Sequence, residues 1–441
     1  MRPHHPSLRW AGVLVGLLLL AAVPGYAQQV PAGMRGQRAI VERGGWIRVL
    51  IASEQREVTI GVPSAFIVRS GDAEIARSQA NAIVKCVARG GNLDLSMDGR
   101  ALGRHAEAWI VPVRPGPDGE GFVLEGRKDR RFRGSCRLVR SGETVRIINE
   151  IQLDDYLKGV LPAEIGGDAP LEALKAQAIC ARSEVVHKII RPPHDSDGYD
   201  LCAGVHCMAY KGMTLETAAA NDAVDATLGM VLVAGGEVLD AVYHNVCGGI
   251  TAPAEDVWDS RPKVALETVL DTDRPRMPPD LSTDAALLRF FESGGSDYFC
   301  YPASAGYPAY ARKYFRWEKT LSAEQLARAC GVGPVTDIRV IERRPSGRVR
   351  KLEVTGTGGR RIIEKELPIR QMFDLWSGLF VLRTSKSAGR VASATFIGAG
   401  NGHGVGLCQQ GARVMAARGY KADAILSHYY RGAQIRRIYR P

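Results

Sequence analysis

The side chain best suited to chemistry in this sequence is a carboxylic acid that ends an apolar segment. The segment runs from Leu153 through Val160 and Pro162 to Glu164, which is followed by two glycines after Ile165. We interpret it as a strand-like stretch that leads into apolar surroundings, which would disfavour the ionised carboxylate and raise the pKa of Glu164. A carboxyl group that is still protonated near neutral pH can donate a proton to a glycosidic oxygen. On this segment alone, a capping or surface glutamate is the simpler interpretation.

The residues after Glu164 predict a helix that carries two basic side chains on one side. We expect Asp168 to cap this helix and Pro170 to lie in its first turn, where the missing N–H costs least. Lys175 and Arg182 are seven residues apart and therefore point the same way, about 10 Å apart along the axis. Their cationic groups could reach the edge of a cleft. Apolar residues recur every three or four positions, as on a buried helix face, at Leu171, Leu174, Ala178, Ala181 and Val185.

A glycine-rich segment near the C-terminus surrounds a histidine. Gly402, Gly404 and Gly406 alternate with His403 and Val405, which allows special backbone angles and the close approach of a polymer. We expect His403 to stand at the start of a helix, where it could contact an anionic or polar group. The alternative is that the glycines serve tight packing around a structural histidine. His244 precedes a Gly-Gly pair in a similar way, and either histidine could orient a substrate or Glu164.

The sequence contains nine cysteines, so at least one thiol has no intrachain disulfide partner. Cys202 and Cys207 have the spacing of metal ligands, with His194 and His206 nearby. In an oxidising compartment a disulfide is slightly favoured over a structural zinc ion. Cys247 and Cys408 lie in other motifs, so a cluster shared with Cys202 and Cys207 is conceivable. A thiol nucleophile formed by Cys408 and His403 is a further alternative, although no partner Asn or Asp is evident.

The N-terminus predicts export. Arg2 and Arg9 give it a basic start, residues 11–23 form an unbroken apolar run, and Gly25 and Ala27 offer small residues at a cleavage site. This order is typical of a signal peptide cleaved after Ala27. The run is short for a membrane span, which needs roughly 20 apolar residues, although a retained anchor is the alternative. We therefore expect the mature protein in the periplasm or cell-wall space, without a stable membrane span.

The chain is long enough for more than one domain and is cationic overall, with 441 residues and a formal net charge of +11. In an exported protein this charge suits an anionic wall polymer. Nucleic acid is the competing partner, and we exclude it because export separates the protein from nucleic acid.

The pattern of elements predicts an α+β fold with five segments. Residues 1–27 are the signal peptide, and 28–132 form a β-rich support or wall-docking region with strands near 46–51, 57–62, 82–87 and 108–113. Residues 133–258 form the first part of a mixed α/β core and 398–441 its last part. An inserted lobe, 259–397, lies between them, with a helix near 322–330 and strands near 337–342 and 349–355. Residues 141–142 predict a hairpin turn, and helices are expected over 405–418 and 423–430.

Five motifs in a fixed order resemble the SpoIID/LytB family over roughly residues 133–440. They are the segments 153–164, 174–182, 198–210, 243–258 and 400–412, followed by His428, Tyr429 and Tyr430. Any one of these motifs would be weak, and their order makes the match specific. One departure is that Ile165 and Gly166 replace the Met-Pro that many members have after the glutamate.

The resemblance implies an exported peptidoglycan lytic transglycosylase with Glu164 as its single acid/base. Lys175 and Arg182 match basic positions of the family, and we expect them to bind substrate together with His244, His403 and Gln409. Asp154 and Asp155 could supply a second carboxylate, although a structural role suits them better. Some members hold zinc in the segment that contains Cys202 and Cys207, so a structural zinc ion is implied there, while no cofactor is required. LytB-type members imply an alternative function, namely a non-catalytic wall-binding activator of an N-acetylmuramoyl-L-alanine amidase.

Overall fold

The computed structural model describes residues 40–79, 81–113, 121–126, 130–204, 206–258 and 263–439. The predicted signal peptide and its cleavage site after Ala27 lie outside the described residues. Among the described residues, no helix has the length and apolar character needed to cross a membrane. The elements confirm the predicted α+β class and the β-rich N-terminal region.

Twelve strands precede the first helix described below and form most of two sheets. A seven-stranded sheet has the order β13-β1-β12-β11-β8-β3-β4, in which β13 is Leu201–Cys202 from further along the chain. A six-stranded sheet has the order β10-β9-β2-β5-β6-β7. Along β5, Ala82, Val84, Cys86 and Ala88 are buried and alternate with more exposed residues, as on a strand with one face in the core. The strands are β1 Trp46–Gln55, β2 Glu57–Val62, β3 Phe66–Ser70, β4 Ala73–Ser78, β5 Ala82–Arg89, β6 Asn92–Met97, β7 Arg100–His105, β8 Glu107–Pro112, β9 Gly121–Leu124, β10 Arg131–Arg133, β11 Ser135–Ser141 and β12 Thr144–Gln152.

The predicted hairpin around residues 141–142 is confirmed, and its strands cross the predicted boundary at 132/133. Ser141 pairs with Thr144, so Gly142 and Glu143 form a two-residue turn between β11 and β12. Strand β12 also pairs with β1, and β11 pairs with β8. Residues on both sides of the boundary therefore share one sheet, because the hairpin completes the N-terminal sheet before the chain enters the helices.

The helical part of the core follows β12 directly. Helix α1 begins at Leu153, the residue after β12, so Glu164 ends a helix and the strand-like interpretation of this segment is wrong. Helix α2 begins at Leu171 with Pro170 at its N-cap position, and Asp168 instead pairs with Arg413. The helices of this part are α1 Leu153–Glu164, α2 Leu171–Ile190, α3 Ala218–Ala226 and α4 Ala254–Val257, with short strands β13 Leu201–Cys202, β14 Met230–Ala234, β15 Glu237–Val238 and β16 Tyr243–His244.

The inserted lobe has a hydrophobic core of its own, but this core is smaller than the predicted lobe. Most buried apolar residues from Trp317 to Phe396 form a separate cluster, whereas Leu379, Val381 and the buried apolar residues between Ala265 and Phe315 pack into the main core. The predicted helix near 322–330 is confirmed, because Ser322 caps it in a capping box and Gly331 ends it with a left-handed backbone. The elements are α5 Asp284–Glu292, β17 Trp317–Ser322, α6 Ala323–Cys330, β18 Val335–Arg343, β19 Val349–Gly356, β20 Gly359–Glu364, α7 Glu366–Phe373, β21 Phe380–Ser387 and β22 Arg390–Gly398.

The C-terminal segment returns to the main core and completes it. Strand β23 pairs in parallel with β16, with Tyr243 opposite Leu407 and His244 opposite Cys408. The two predicted C-terminal helices are present, although the first begins later than expected. The elements are β23 Leu407–Cys408, α8 Gln409–Ala417, α9 Ala422–Tyr429 and β24 Gln434–Arg437, which pairs with β14.

Candidate active site

Glu164 lies at the C-terminal end of α1 and is partly buried. Its Oε1 accepts a hydrogen bond of 2.8 Å from the backbone N–H of Ala209. In the described part of the chain, Glu164 forms no ion pair with a lysine, arginine or histidine. Burial raises the pKa of Glu164, and the Ala209 N–H and the charge of Lys188 only partly offset this effect. The raised pKa agrees in direction with the sequence prediction.

A second carboxyl group, which the sequence analysis missed, stands close to Glu164. Glu184 on α2 is only 8% exposed and forms an ion pair of 2.5 Å with Lys188. Burial raises the pKa of Glu184 to about 7, although Lys188 opposes this rise, and the nearby charges of Asp240 and Glu164 add to it. The available signal was the Glu-Lys pair four residues apart on a predicted helix. It was missed because such pairs usually lie on a solvated face.

Two tyrosines line the same region. Burial raises the pKa of Tyr243 well above its usual range, and the charges of Glu164 and Glu184 raise it further. Tyr156, which is fully buried on α1, also lies near both carboxyl groups. The Tyr156 and Tyr210 rings are in contact, with centroids 4.7 Å apart. Glu164 therefore has aromatic and carboxylic neighbours. The positive charge of Lys188 lowers the pKa of Glu164.

The segment that positions Glu164 also contains four potential metal ligands. His194, Cys202, His206 and Cys207 place one ligand atom each within 4.8 Å of one another. The Cys207 sulfur lies 3.4 Å from His194 Nε2 and 3.5 Å from His206 Nδ1. The backbone carbonyl of Cys207 accepts a hydrogen bond of 2.9 Å from Lys188 Nζ. The loop therefore contacts Lys188 through Cys207 and Glu164 through Ala209, two residues later.

The structure does not support the expectation that Lys175 and Arg182 reach the edge of a cleft. Arg182 has a fully buried side chain and pairs with Asp154 at 2.7 Å. It also donates to the carbonyl of Met230 at 3.0 Å. Lys175 pairs with Glu172 on its own helix at 2.9 Å. The expectation was wrong for Arg182 because the face of α2 that carries it packs against α1 and α3, so this guanidinium serves the core. Asp154, as expected, has a structural role.

The glycine-rich loop has the unusual backbone angles that were predicted. Other parts of the same chain, however, occupy the space next to its glycines. Gly402, Gly404 and Gly406 all have positive φ. A Cβ at Gly404 would lie 1.8 Å from the Arg348 guanidinium, so an arginine of the lobe, rather than a polymer, makes the close approach there. His403 does not stand at the start of a helix, since α8 begins only at Gln409.

The two histidines lie next to each other, with ring centroids 5.6 Å apart. His403 Nδ1 accepts a hydrogen bond from the Val405 N–H, and its ring also contacts Trp258. His244 is buried, with Nδ1 3.1 Å from the Val405 carbonyl oxygen. Strand β16 connects the two histidines to the carboxyl groups. Its first residue, Tyr243, lies near Glu164, and its second residue is His244. Nothing shows a direct contact between either histidine and Glu164.

Gln409 and Cys408 are both buried. Gln409 donates to Gln177 Oε1 at 3.4 Å, so it contacts α2 and its role as a substrate ligand stays a prediction. Cys408 has no exposed surface, which argues against a thiol nucleophile formed with His403. All nine cysteines are free, contrary to the preference for a disulfide. Cys247 and Cys408 belong to a second cluster with Asp271 and Cys300, so the cluster shared with Cys202 and Cys207 is wrong.

Two cavities lie elsewhere in the structure. One of about 370 Å³ is lined by residues of the lobe, among them Ile338 and Arg343. The other, of about 490 Å³, lies beside Asp273 and His428. Glu164 does not line either of these two cavities.

Comparisons with known proteins match two parts of this chain. Residues 141–233 match the family model described as stage II sporulation protein (SpoIID), and residues 252–406 match a domain of unknown function, DUF8618. The first match contains α1, α2 and the four potential metal ligands. The second begins shortly before α4 and ends within the glycine-rich loop.

Three relatives are informative. The chain is 27% identical to an uncharacterized protein of Brachyspira hyodysenteriae, over 72% of this chain and 74% of that protein. It is 25% identical to the stage II sporulation protein D of Bacillus subtilis, over 65% of this chain and 75% of that protein. It is also 25% identical to the amidase enhancer of Bacillus subtilis, over 63% of this chain but only 40% of that protein.

Proposed function

From the confirmed resemblance of this chain to the SpoIID/LytB family, we propose that it is an exported peptidoglycan lytic transglycosylase with Glu164 as its acid/base. The observation that supports this proposal best is the environment of Glu164. Its carboxyl group is partly buried, has a raised pKa and accepts one backbone hydrogen bond from Ala209. A carboxyl group that has a raised pKa and is not fully buried is suited to act as a general acid.

The proposed reaction needs one carboxyl group that works twice. Glu164 first donates its proton to the leaving glycosidic oxygen. The resulting carboxylate then accepts a proton from the 6-hydroxyl of the muramic acid, whose oxygen bonds to C1. The product is a 1,6-anhydro end, and no water is consumed. Most glycosidases use two carboxylates, but Glu184 is buried in an ion pair with Lys188. We therefore assign Glu184 to tuning the charge around Glu164.

We further propose that His194, Cys202, His206 and Cys207 hold a structural zinc ion. Two thiolates and two imidazoles form a donor set that zinc prefers, and four protein ligands leave no open position for chemistry on the metal. When bound, the ion would fix the loop whose Ala209 N–H and Cys207 carbonyl contact Glu164 and Lys188. Metal analysis should find one equivalent more of zinc in the purified unmodified protein than in a Cys202→Ser/Cys207→Ser variant. Intact zinc content in that variant would refute this site.

The test of the catalytic proposal is the substitution Glu164→Gln, which keeps the size and removes the proton donor. Incubation with purified glycan strands, followed by mass spectrometry, should detect anhydromuramic ends for the unmodified chain. We expect the variant to lose activity by about 10²–10⁴-fold, the usual contribution of general acid–base catalysis. Glu143→Gln, at an exposed turn position, is the control and should leave activity unchanged. Full activity of a folded Glu164→Gln protein would refute the assignment.

A second function is suggested by the amidase enhancer among the relatives. In this alternative the chain binds the wall without cutting it and stimulates an N-acetylmuramoyl-L-alanine amidase. The same variant separates the two functions. If the unmodified chain releases no anhydromuramic ends, while it and Glu164→Gln stimulate the amidase equally, the activator function is correct.

A further inference from the structure

A second cluster of potential metal ligands lies beside the pair of strands β16 and β23. It combines three cysteines and one aspartate that are distant in sequence, namely Cys247, Asp271, Cys300 and Cys408. Their ligand atoms all lie within 4.8 Å of one another, and each of the four residues has no exposed surface. Cys408 is the last residue of β23, and Cys247 follows the end of β16 by three residues. Asp271 and Cys300 come from the segment that leads into the inserted lobe.

The spacing of the sulfur atoms suits a shared metal ion. Cys247 Sγ and Cys300 Sγ are 3.4 Å apart. Two thiolates on one tetrahedral zinc ion, each at about 2.3 Å, stand about 3.8 Å from one another. A disulfide would bring the same atoms to about 2.05 Å. The observed separation is closer to that of two ligands of one ion.

The backbone around the cluster directs its N–H groups at sulfur. Cys408 Sγ accepts hydrogen bonds from the N–H of Cys247 at 3.2 Å and from that of Gly411 at 3.4 Å. The Gly411 bond places this sulfur at the N-terminus of α8. Cys247 Sγ accepts from the N–H of Gly249 at 3.3 Å. Such donors favour a sulfur atom that carries negative charge, as a metal-bound thiolate does.

The aspartate is held in place by two further donors. Tyr429 donates its hydroxyl to Asp271 Oδ1 at 2.5 Å, and the Cys300 N–H donates to Oδ2 at 2.7 Å. Each carboxylate oxygen keeps a second lone pair that can bind a metal ion. Metal-binding carboxylates are commonly oriented by such hydrogen bonds. A disulfide between two of the cysteines would leave this buried carboxyl group without a function.

The carboxyl group of the cluster has no ion-pair partner, although the charges of the buried Arg316 and Arg348 act on Cys247. Across the described residues, no lysine, arginine or histidine forms an ion pair with Asp271. Four acidic groups buried together are costly when charged, unless a cation joins them. A divalent ion would supply the missing charge at the centre of the four ligand atoms.

We propose that Cys247, Asp271, Cys300 and Cys408 bind a second zinc ion in a closed, structural site. Thiolates favour zinc among the available divalent metals, and four protein ligands leave no open position. This ion connects both strands of the β16–β23 pair to the segment that enters the lobe. The inference does not depend on the proposed reaction, because it concerns metal content alone.

The test uses cobalt(II) as a probe, because thiolate–cobalt(II) charge-transfer absorption reports sulfur ligands directly. The Cys202→Ser/Cys207→Ser variant, purified under reducing conditions, removes the thiolates of the first cluster. We expect this variant to bind one equivalent of cobalt(II) and to keep the charge-transfer band. Adding Cys300→Ser should lower the charge-transfer absorption, because only two of the three thiolates remain, and adding Asp271→Asn should weaken cobalt(II) binding by at least about tenfold. Adding Cys330→Ser, a buried cysteine of the lobe core, is the control and should change neither.

A second measurement uses the unmodified protein and does not depend on the folding of a variant. Bound zinc should protect Cys247, Cys300 and Cys408 from alkylation in the folded protein, as counted by mass spectrometry, and chelation should expose them. Two results would overturn the proposal. One is a folded Cys202→Ser/Cys207→Ser protein that binds no cobalt(II). The other is a disulfide between any two of the three cysteines, found by peptide mapping of protein that was alkylated at lysis without reduction.

Discussion

Replacing Arg182 with methionine should destabilise the main core and should leave substrate binding unchanged. The guanidinium pairs with Asp154 at 2.7 Å and donates to the Met230 carbonyl at 3.0 Å. Removing one partner of a buried ion pair costs about 3–5 kcal/mol, because the other charge stays buried. Asp154 keeps a hydrogen bond of 2.8 Å from Tyr439 and is 14% exposed. We therefore expect the low end of that range, about 3 kcal/mol.

The assay is urea unfolding followed by far-ultraviolet circular dichroism. Lys175→Met is the matched control on the same helix, and its more exposed ion pair with Glu172 predicts a loss of only about 0.2–1 kcal/mol. Adding Asp154→Asn to Arg182→Met should recover about 1 kcal/mol or more, because no unpaired charge then remains. The reasoning is refuted if Arg182→Met unfolds within about 1 kcal/mol of the unmodified protein while its KM for glycan strands rises. That result would show that Arg182 contributes to substrate binding.

Three further predictions concern charge and backbone strain. Burial raises the pKa of Glu184 from 4.5 to about 7. The free energy of unfolding should therefore fall as pH rises through that interval, and Glu184→Gln should remove the part of this fall that comes from Glu184. Lys188 lowers the pKa of Glu164, so Lys188→Met should raise that pKa and move the alkaline limb of the kcat/KM profile to higher pH. Gly404→Ala should cost about 2–4 kcal/mol through its positive φ and a steric clash, whereas Gly419→Ala, with open space around it, should cost about 1–2 kcal/mol.

Each of these predictions has a clear contrary result. An unchanged slope of stability against pH in Glu184→Gln would show that another group titrates in this range. A limb that moves to lower pH in Lys188→Met would mean that the lysine does not act on Glu164 through its charge. Equal losses of stability in Gly404→Ala and Gly419→Ala would show that the clash of the new methyl group with Arg348 does not lower the stability.

Local patterns predicted much of the fold. The strand-forming residues of β5 and the Gly331 stop after α6 gave these elements nearly their true bounds, because both signals are contained in a short window. The segment before Glu164 was harder. Its apolar residues fit either a strand or a helix over so short a run, and packing against α2 and α3 selects the helix.

The candidate site was predicted less completely than the fold. Glu164 and its raised pKa followed from the apolar residues beside it, whereas Glu184 required knowing which face of α2 is buried. The two metal-ligand clusters show the same limit. Spacing suggested Cys202 and Cys207, but only the tertiary fold separates them from Cys247 and brings Cys300 to Cys408. Contacts between distant segments leave no periodic signal in a single sequence.

The pairing of β16 with β23 has a consequence for biosynthesis. Cys247 and Cys408, which meet beside this pair, are 161 positions apart along the chain. Closing so long a loop carries a large entropic cost and slows folding. A ribosome must synthesise the chain beyond Cys408 before this region can form, so a chain that stops earlier lacks the ordered backbone around Tyr243. Any activity that depends on this region would then arise only after β23 has been made.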